Sequence, residues 1–230
     1  MIQVQVNKRY WVKAVKENSV FSTLARSPRV RTIAKIGIDY AFTLPALILI
    51  SPLLLLIAFL VKLESPGPVF YRQRVLGLNG REFYAYKFRT MYINANEVLL
   101  RHRQEWVGML QGRPGARDPR LTRVGFFLRQ SGLDELPRLF NILTRDMSLV
   151  GPKAITRKEI MRYGRRRVDA LTSVMPGLTG LWQLNSPKTA SDERVNLELE
   201  YINNWSPWLD IKILFGTLTA VWKHQGQGAF

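Results

Sequence analysis

Two adjacent carboxylates, Asp134 and Glu135, are the residues of this sequence best suited to chemistry. They precede Pro137 and a short run with helical spacing, and proline is tolerated in the first turn of a helix because its missing N–H would have no partner there. We therefore expect both acids at a helix start, where free N–H groups and the macrodipole favour negative charge. The alternative interpretation is an N-cap aspartate beside a surface glutamate, without a chemical role.

Four cationic residues surround this pair in the sequence: Arg129, Arg138, Arg145 and Lys153. Carboxylates among cations are suited to phosphate chemistry on a metal ion that prefers oxygen ligands. The chain has no cysteine, which excludes disulfides, thiolate metal sites and cysteine nucleophiles. Its two histidines, His102 and His224, are far apart, so a Ser-His-Asp triad or a histidine zinc site is disfavoured. A carboxylate or a lysine is therefore the expected nucleophile or base.

The chain is strongly basic, with 34 Lys and Arg against 17 Asp and Glu in 230 residues, a formal net charge of +17. Such a surplus indicates a polyanionic partner, which could be nucleic acid, anionic lipid or a phosphorylated substrate. The length corresponds to one domain with appendages. We interpret residues 1–35 as a basic N-terminal arm, which either lies against anionic head groups or is solvated and disordered.

Residues 36–64 are interpreted as a membrane segment. Tyr40–Val61 contains no charged residue, and a helix of that length measures roughly 30 Å, enough to cross a bilayer. Both flanks are rich in Lys and Arg, so the positive-inside rule gives no clear orientation. Pro52 bends a helix at the middle of the run, while Ser51 can bond a nearby carbonyl. These features favour a re-entrant helix over a kinked span, with a buried core helix as the third option.

A β-hairpin is predicted after the membrane segment. Val69–Val75 and Arg81–Phe88 have strand-like patterns, and they are joined around Asn79-Gly80, the favoured pair for a tight turn with positive φ. The second strand leads through Lys87 to Arg89. Their cations either face a phosphate or lie at an ordinary solvent-facing strand edge.

Helical spacing predicts four further helices, over Ala95–Leu110, Leu121–Arg129, Lys158–Arg167 and Asp192–Asn203. Pro176–Gln183 is expected to be a glycine-bearing loop. Aromatic and aliphatic residues then recur at steps of three and four from Trp205 to Trp222. That helical face suits either the head-group level of a bilayer or ordinary core packing.

Seven stretches of the chain carry a resemblance to a known family: GPVFYRQ, GLNGREFYAYKFRTM, DPRLTRVG, LDELPRLFN, DMSLVGP, PGLTGLWQ and YINNWSPWLDIKIL. They occur in the family's order between Ile36 and Trp222. The chain thus resembles the bacterial sugar transferases, the monotopic polyprenyl-phosphate phosphoglycosyl transferases, in their short, core-only form. Together with the patterns above, the resemblance predicts an α+β fold. A re-entrant membrane helix precedes a small, mostly helical catalytic domain, residues 65–230, with a β-hairpin and interfacial amphipathic helices.

The resemblance also implies an activity. Members of the family transfer a sugar-1-phosphate from a UDP-sugar to undecaprenyl phosphate at the cytoplasmic face of the bacterial inner membrane, releasing UMP. This is the first membrane step of exopolysaccharide, O-antigen and glycoconjugate assembly. The implied partners are therefore a UDP-sugar, polyprenyl phosphate and membrane lipids, with no nucleic acid and with a possible homo-oligomer.

In the family's ping-pong mechanism, the aspartate of an Asp-Glu dyad attacks the phosphate that bears the sugar and becomes an acyl phosphate. That aspartate matches Asp134, and the dyad glutamate matches Glu135. The resemblance implies a Mg²⁺ ion held by both carboxylates. Five cations are expected to bind phosphate oxygens: Lys87, Arg89, Arg129, Arg138 and Lys153. Ser51-Pro52 matches the break in the family's re-entrant helix.

Some positions depart from the family pattern. Lys153-Ala154 replaces the usual Arg-Pro, so the positive charge is kept, while the bidentate fork and a backbone constraint are lost. Phe126 stands where a basic residue is common, and Gly132 where serine is.

The competing hypothesis is a non-catalytic, membrane-anchored basic adaptor that binds anionic lipid or nucleic acid. It explains the charge and the apolar run, but not the cations around the acidic pair.

Overall fold

The computed structural model describes residues 28–113, 117–184 and 191–223. Of the basic arm expected over residues 1–35, residues 1–27 lie outside the described residues. Residues 28–35 are helical, because the first helix, α1, runs from Pro28 to Glu64. Proline suits the first helical position, since its φ is already fixed near the helical value.

Helix α1 contains two prolines, Pro45 and Pro52, and Ser51-Pro52 lies inside one helical segment rather than between two. Pro52 cannot donate a backbone hydrogen bond to the carbonyl of Ile48. The Ser51 hydroxyl donates to that carbonyl instead, at 2.9 Å, which confirms the bond predicted for this serine. By length and composition, Thr32–Glu64 is long and apolar enough to cross a membrane.

One face of α1 packs on the rest of the protein, and another face is exposed. The packed face repeats at steps of three and four residues, through Thr43, Leu47, Ile50, Leu54, Ile57 and Val61. The exposed face carries large apolar side chains, namely Leu44, Ile48, Leu49, Leu53, Leu55, Leu56, Phe59 and Leu60. A helix that is apolar on both faces needs an apolar environment on both. Within the described residues, other parts of the protein cover only the packed face.

The predicted β-hairpin is confirmed. Strand β1, Phe70–Leu76, pairs antiparallel with β2, Glu82–Phe88. The Asn-Gly turn between them has positive φ at both residues, 54° and 73°. The register sets Lys87 directly opposite Tyr71, so the strand pair brings a cation and an aromatic residue to the same level.

Eight shorter helices follow α1 in the described residues: α2 is Ala95–Arg101, α3 Arg103–Leu110, α4 Arg123–Ser131, α5 Arg138–Leu143, α6 Arg157–Tyr163, α7 Arg165–Leu171, α8 Ser191–Asn203 and α9 Pro207–Lys223. Two of the single helices predicted from the sequence are each divided in two. His102 separates α2 from α3 with non-helical angles, φ −111° and ψ 35°. Gly164 separates α6 from α7 with φ 74°, a left-handed value that glycine adopts at little cost.

The sequence pattern does not predict the second, two-stranded sheet. Strand β3, Ser148–Val150, pairs parallel with β4, Gly177–Thr179, inside the stretch expected to be a loop. The two backbones are so close that a Cβ on Gly177 would lie 2.1 Å from the amide nitrogen of Gly151. Glycine is therefore required at this contact. Strands of three residues are too short to show a periodic pattern.

The largest core cluster joins the hairpin, α5, β3 and α9, and it includes Val75 and Ile142. A smaller cluster joins α1 to β2 and α4 through Ile57, Phe88 and Leu128. The fold thus mixes helices and strands and contains one long, apolar N-terminal helix, as predicted. The acidic pair lies between α4 and α5, so both clusters support its position.

Candidate functional site

Asp134 and Glu135 lie in a 3₁₀ turn, Leu133–Glu135, between α4 and α5. Helix α4 ends at Ser131, and the next residue, Gly132, has a left-handed backbone with φ 73° that changes the direction of the chain. Pro137 directly precedes the first residue of α5. The acids are therefore one turn before a helix start, close to the expected position. The alternative placement, an N-cap aspartate beside a surface glutamate, is wrong, because Asp134 is buried and does not cap α5. The chemical role of the pair stays a prediction.

Each carboxylate oxygen of Glu135 faces a cation. Lys87 Nζ lies 2.5 Å from Oε1, and Arg138 Nη1 lies 2.9 Å from Oε2. Burial alone would raise the pKa of Glu135, but the charges of Arg138 and Lys87 outweigh it and hold that pKa below its usual value. Glu135 is therefore an ionised group that orients two of the predicted phosphate-binding cations.

Asp134 has a different environment, although it is the adjacent residue. Only 8 % of it is exposed. Burial raises the pKa of Asp134 above its usual value; Lys87 opposes the rise and the neighbouring Glu135 carboxylate adds to it. The two acids are thus shifted in opposite directions, which is typical of carboxylate pairs with different chemical roles.

Both acids open onto a cavity of about 730 Å³. Its charged lining residues are Lys87, Arg89, Arg129, Asp134 and Glu135. Arg129 Nε donates to the Thr90 hydroxyl at 3.0 Å, and this bond holds its guanidinium beside the cavity. The cavity is large enough for a substrate, and its charged part is suited to phosphate groups.

Arg89 lines the cavity, but its guanidinium is bonded elsewhere. Nη1 donates to the Pro66 carbonyl at 2.7 Å, and Nη2 donates to the carbonyls of Ser65 at 2.6 Å and Val61 at 3.4 Å. Carbonyls at the C-terminal end of a helix lack partners within the helix. Arg89 therefore ties the end of α1 to the hairpin, a role that the sequence pattern did not indicate. Its binding of phosphate stays a prediction.

Lys153 lies near the acidic pair but outside the wall of the cavity. Its backbone N–H donates to Glu198 Oε1 at 3.1 Å, and its ammonium lies 5.7 Å from the centre of the Trp182 ring. Burial, with help from the charge of Arg194, lowers the pKa of Lys153, and Glu135 opposes that change. Lys153 is thus within electrostatic range of the acidic pair, while its contact with phosphate stays a prediction.

No group of three or more His, Asp or Glu side chains forms a metal site in the part of the chain that the structure describes. Asp134 and Glu135 are the carboxylates at the cavity, and both oxygens of Glu135 already face cations. Mg²⁺ often binds through one or two carboxylates and completes its shell with water and substrate phosphate. The pair therefore fits a Mg²⁺ that is shared with a phosphate substrate, with Asp134 as the less occupied ligand.

Residues 30–224 match the family described as "Bacterial sugar transferase". The exopolysaccharide production protein ExoY of Rhizobium meliloti is 41% identical over 202 residues, which cover 84% of this chain and 88% of that protein. The UDP-glucose:undecaprenyl-phosphate glucose-1-phosphate transferase of Escherichia coli is 39% identical over 197 residues, or 82% of this chain and 40% of that protein. The undecaprenyl-phosphate galactose phosphotransferase of Salmonella typhimurium is 39% identical over 196 residues, with the same coverage.

The chain spans about two fifths of the length of the Escherichia coli and Salmonella relatives, but most of the Rhizobium protein. The match to the family extends over nearly all of α1, the hairpin, the acidic pair and the whole of α9. It therefore covers every element that builds the site. On this evidence the chain belongs to the bacterial sugar transferase family.

Proposed function

We propose that this protein transfers a sugar-1-phosphate from a UDP-sugar to a polyprenyl phosphate, through a covalent aspartyl intermediate and with release of UMP. The observation that carries the proposal is a buried carboxylate, Asp134, at a cavity that also holds Lys87 and Arg129. The Escherichia coli relative is named for UDP-glucose, undecaprenyl phosphate and glucose-1-phosphate transfer, and the Rhizobium relative for exopolysaccharide production. We accordingly assign the reaction to the first membrane step of exopolysaccharide or related glycan assembly.

The first half-reaction uses Asp134 as the nucleophile. One carboxylate oxygen bonds to the phosphorus that bears the sugar, the bond from that phosphorus to the UMP oxygen breaks, and UMP leaves with the electron pair. Lys87 and Arg129 stabilise charge on the phosphate oxygens. Asp134 must be ionised to react, and the charge of Lys87 favours that form. When bound by Asp134 and Glu135, Mg²⁺ would neutralise further charge on the diphosphate.

In the second half-reaction an oxygen of the lipid phosphate attacks the same phosphorus. The bond between Asp134 and phosphorus breaks, the carboxylate is regenerated, and the product is a polyprenyl diphosphate sugar. The two substrates therefore use one cavity in turn. Glu135 remains ionised between Lys87 and Arg138, so the cations keep their positions while the phosphate groups change.

The apolar part of the cavity supports a lipid acceptor. Phe70, Tyr71 and Ile93 line the cavity and are exposed to solvent. Ile93 lies over Gly67, just beyond the end of α1, where a Cβ on Gly67 would be 2.1 Å from Ile93 Cδ1. The cavity thus adjoins the end of the proposed membrane helix. An isoprenoid chain could lie against these three apolar side chains while its phosphate occupies the charged part of the cavity at Asp134.

Replacing Tyr71 and Ile93 together with serine should raise the KM for a long-chain polyprenyl phosphate about tenfold or more, because each change removes roughly 1–2 kcal/mol of apolar contact. The KM for the UDP-sugar should change by less than about twofold. Steady-state assays with a long-chain and a short, water-soluble prenyl phosphate measure the difference. Leu100→Ser is the matched control, since Leu100 is exposed on α2 and does not line the cavity. An equal change for both acceptors would show that the chain binds elsewhere.

Both ends of the uncharged run of α1 are bonded to the same domain, which supports a re-entrant arrangement. At the start of this run, Asp39 Oδ1 accepts a hydrogen bond from the Ser148 hydroxyl at 2.8 Å. At the other, the Glu64 carboxylate accepts from the first two backbone N–H groups of α4, at 2.5 and 2.8 Å. A helix that crossed the bilayer would have its ends on opposite sides, where one domain cannot contact both. We assign the domain to the cytoplasmic face of the bacterial inner membrane.

The C-terminal aromatic residues divide between the two alternatives left open by the sequence. Trp205 is partly buried and its Nε1 donates to Asp210 at 3.2 Å, so it belongs to the packed face of the domain. Trp208 and Phe215 on α9 are exposed. We infer that these two side chains lie at the head-group level beside α1. The side chain of Trp222 lies outside the described residues.

The absence of native cysteine allows a direct test of topology. Single cysteines placed by Ser19→Cys in the arm and Ser173→Cys after α7 should both react with a membrane-impermeant maleimide in inside-out vesicles, and neither should react in right-side-out vesicles. Labelling after detergent solubilisation controls for access. Reaction of the two cysteines from opposite sides would contradict the re-entrant helix, and reaction of both from outside would contradict the cytoplasmic assignment.

Turnover distinguishes the transferase from the competing adaptor. Purified protein with Mg²⁺, polyprenyl phosphate and either UDP-glucose or UDP-galactose should release UMP in step with the formation of lipid-linked sugar. A membrane-anchored adaptor releases none. The donor with the higher kcat/KM identifies the transferred sugar.

A further inference from the structure

A buried carboxylate outside the acidic pair contacts Lys153. Glu198, on α8, is 2 % exposed, and its Oε1 accepts the hydrogen bond from the Lys153 backbone N–H at 3.1 Å. The two residues are 45 positions apart in the sequence. No step of the proposed mechanism uses Glu198, so its burial near the site calls for a separate explanation.

Glu198 belongs to a cluster of charged side chains from several elements. Arg194, one turn earlier on α8, has its Nε 3.9 Å from Glu198 Oε1 and its Nη2 3.1 Å from Glu159 Oε1. Arg194 also donates to the Tyr163 hydroxyl. Its Nε is a buried donor without a hydrogen-bond partner among the described residues. The groups that face Glu198 are therefore Arg194, Lys153, Glu159 and Tyr163.

Lys153 connects this cluster to the acidic pair. Its backbone is held from a second side, because Lys153 forms a parallel bridge with Gly177, whose N–H donates to the Pro152 carbonyl at 2.8 Å. With the backbone held there, the Lys153 ammonium lies beside Trp182, and its charge acts on Glu135. The Glu198 carboxylate is thus one of two backbone restraints that set where this cation is presented.

We propose that Glu198 is a positioning residue that holds Lys153 within electrostatic range of the acidic pair, and that a proton on Glu198 adjusts the affinity for the UDP-sugar diphosphate. The inference rests on the proposed function. With Glu198 protonated, its cluster contains the cations Lys153 and Arg194 and one carboxylate, Glu159, and is positive overall. Ionised Glu198 cancels that excess, so a diphosphate binds the protonated form more tightly.

The two roles of Glu198 are separable. A neutral carboxyl group keeps a carbonyl oxygen that can accept the Lys153 N–H, so protonation changes the charge of the cluster more than the position of Lys153. Burial raises the pKa of Glu198 to about 7, although the Lys153 N–H bond and the charge of Arg194 act against the rise. The KM for the UDP-sugar should therefore increase as the pH rises through about 7, by roughly three- to tenfold between about pH 6 and about pH 8.5.

Two substitutions test the roles one at a time. Glu198→Gln keeps an oxygen for the Lys153 N–H but cannot ionise, so its donor KM should stay near the low-pH wild-type value at every pH. Glu198→Ala removes the acceptor, and kcat/KM for the UDP-sugar should fall about ten- to hundredfold across the whole range. Glu200→Gln, the same change on the same helix, should keep the wild-type pH profile.

The effect should also depend on Lys153. In a Lys153→Gln background, adding Glu198→Ala should cause little further loss of kcat/KM for the UDP-sugar, because Glu198 acts by positioning the Lys153 ammonium. Full additivity of the two losses would overturn the positioning role. So would a Glu198→Ala variant with the wild-type kcat/KM.

Donor binding without turnover separates this inference from the proposed function. Calorimetry of UDP-glucose binding to Asp134→Asn, from about pH 6 to about pH 8.5, should show a Kd that rises with pH, and the added Glu198→Gln change should remove that rise. A Kd that Glu198→Gln does not alter, or no binding at any pH, overturns the proton link. Absence of UMP release from the wild-type protein overturns the proposed function instead, since the calorimetry does not depend on it.

Discussion

Asp134→Asn is expected to abolish transfer. The amide has the shape of the carboxylate, but it is a poor nucleophile and cannot form the acyl phosphate, so kcat for UMP release should fall at least about a thousandfold. Donor binding should survive, because Lys87 and Arg129 still line the cavity. The measurement is UMP release at saturating UDP-sugar and polyprenyl phosphate.

Stability provides an internal control for this variant. Because burial raises the pKa of Asp134, its ionised carboxylate is less favourable in the folded than in the unfolded protein, so a neutral amide should not lower the melting temperature. Asp169→Asn, an exposed aspartate on α7, should keep both activity and stability. If folded Asp134→Asn retained more than about a tenth of the wild-type rate, Asp134 could not be the nucleophile.

Asp210→Ala should have the largest effect on folding. Asp210 is completely buried on α9 and accepts three hydrogen bonds, from Lys35 Nζ at 2.6 Å, the Tyr201 hydroxyl at 2.8 Å and Trp205 Nε1 at 3.2 Å. Removing one partner of a buried ion pair leaves the other charge uncompensated, which typically costs about 3–5 kcal/mol. We expect a loss of that order in the free energy of unfolding, measured by thermal or denaturant unfolding in detergent.

The pair with Lys35 also joins α1 to α9, so its loss should loosen the membrane helix from the domain. The double variant Lys35→Met/Asp210→Leu replaces the pair with apolar side chains. It should recover part of the lost stability, because it leaves no unpaired Lys35 ammonium. Asp210→Asn keeps one acceptor oxygen, enough for either Tyr201 or Trp205, which bond to different oxygens of Asp210, and it should be less destabilising than Asp210→Ala. A double variant as unstable as the sum of the single variants would show that the pair is not the source of the effect.

The elements with long or distinctive patterns were predictable from the sequence. The hairpin follows from two alternating strands around an Asn-Gly turn, and α1 from its uncharged run. Helix α8, Ser191–Asn203, begins one residue before the predicted position. The β3–β4 sheet has no such pattern, because it rests on short strands and on the close contact between Gly151 and Gly177.

The centre of the candidate site was also predictable, whereas its supports were not. The chemistry of adjacent acids among cations pointed to Asp134 and Glu135, and the structure places Lys87 beside them. The bonds of Arg89 to the end of α1 and of Glu198 to Lys153 join residues far apart in sequence. Such contacts depend on the tertiary arrangement, which local periodicity does not encode.

The arrangement explains how one cavity could serve a water-soluble and a lipid substrate. Arg89 and Glu64 fasten the end of α1 to the hairpin and to α4, the elements that flank the cavity. Asp134 is therefore fixed relative to the apolar helix that we propose to lie in the membrane. This rigid connection would hold the nucleophile at the depth where a lipid phosphate and a UDP-sugar can both reach it.

The most direct measurement is the mass of the peptide that contains Asp134 after reaction with a UDP-sugar and Mg²⁺ in the absence of acceptor. The account predicts a sugar-phosphate adduct on Asp134, formed with an equal amount of UMP and lost when polyprenyl phosphate is added. UMP release during turnover with Asp134 unmodified throughout, or with the adduct on another residue, would contradict it.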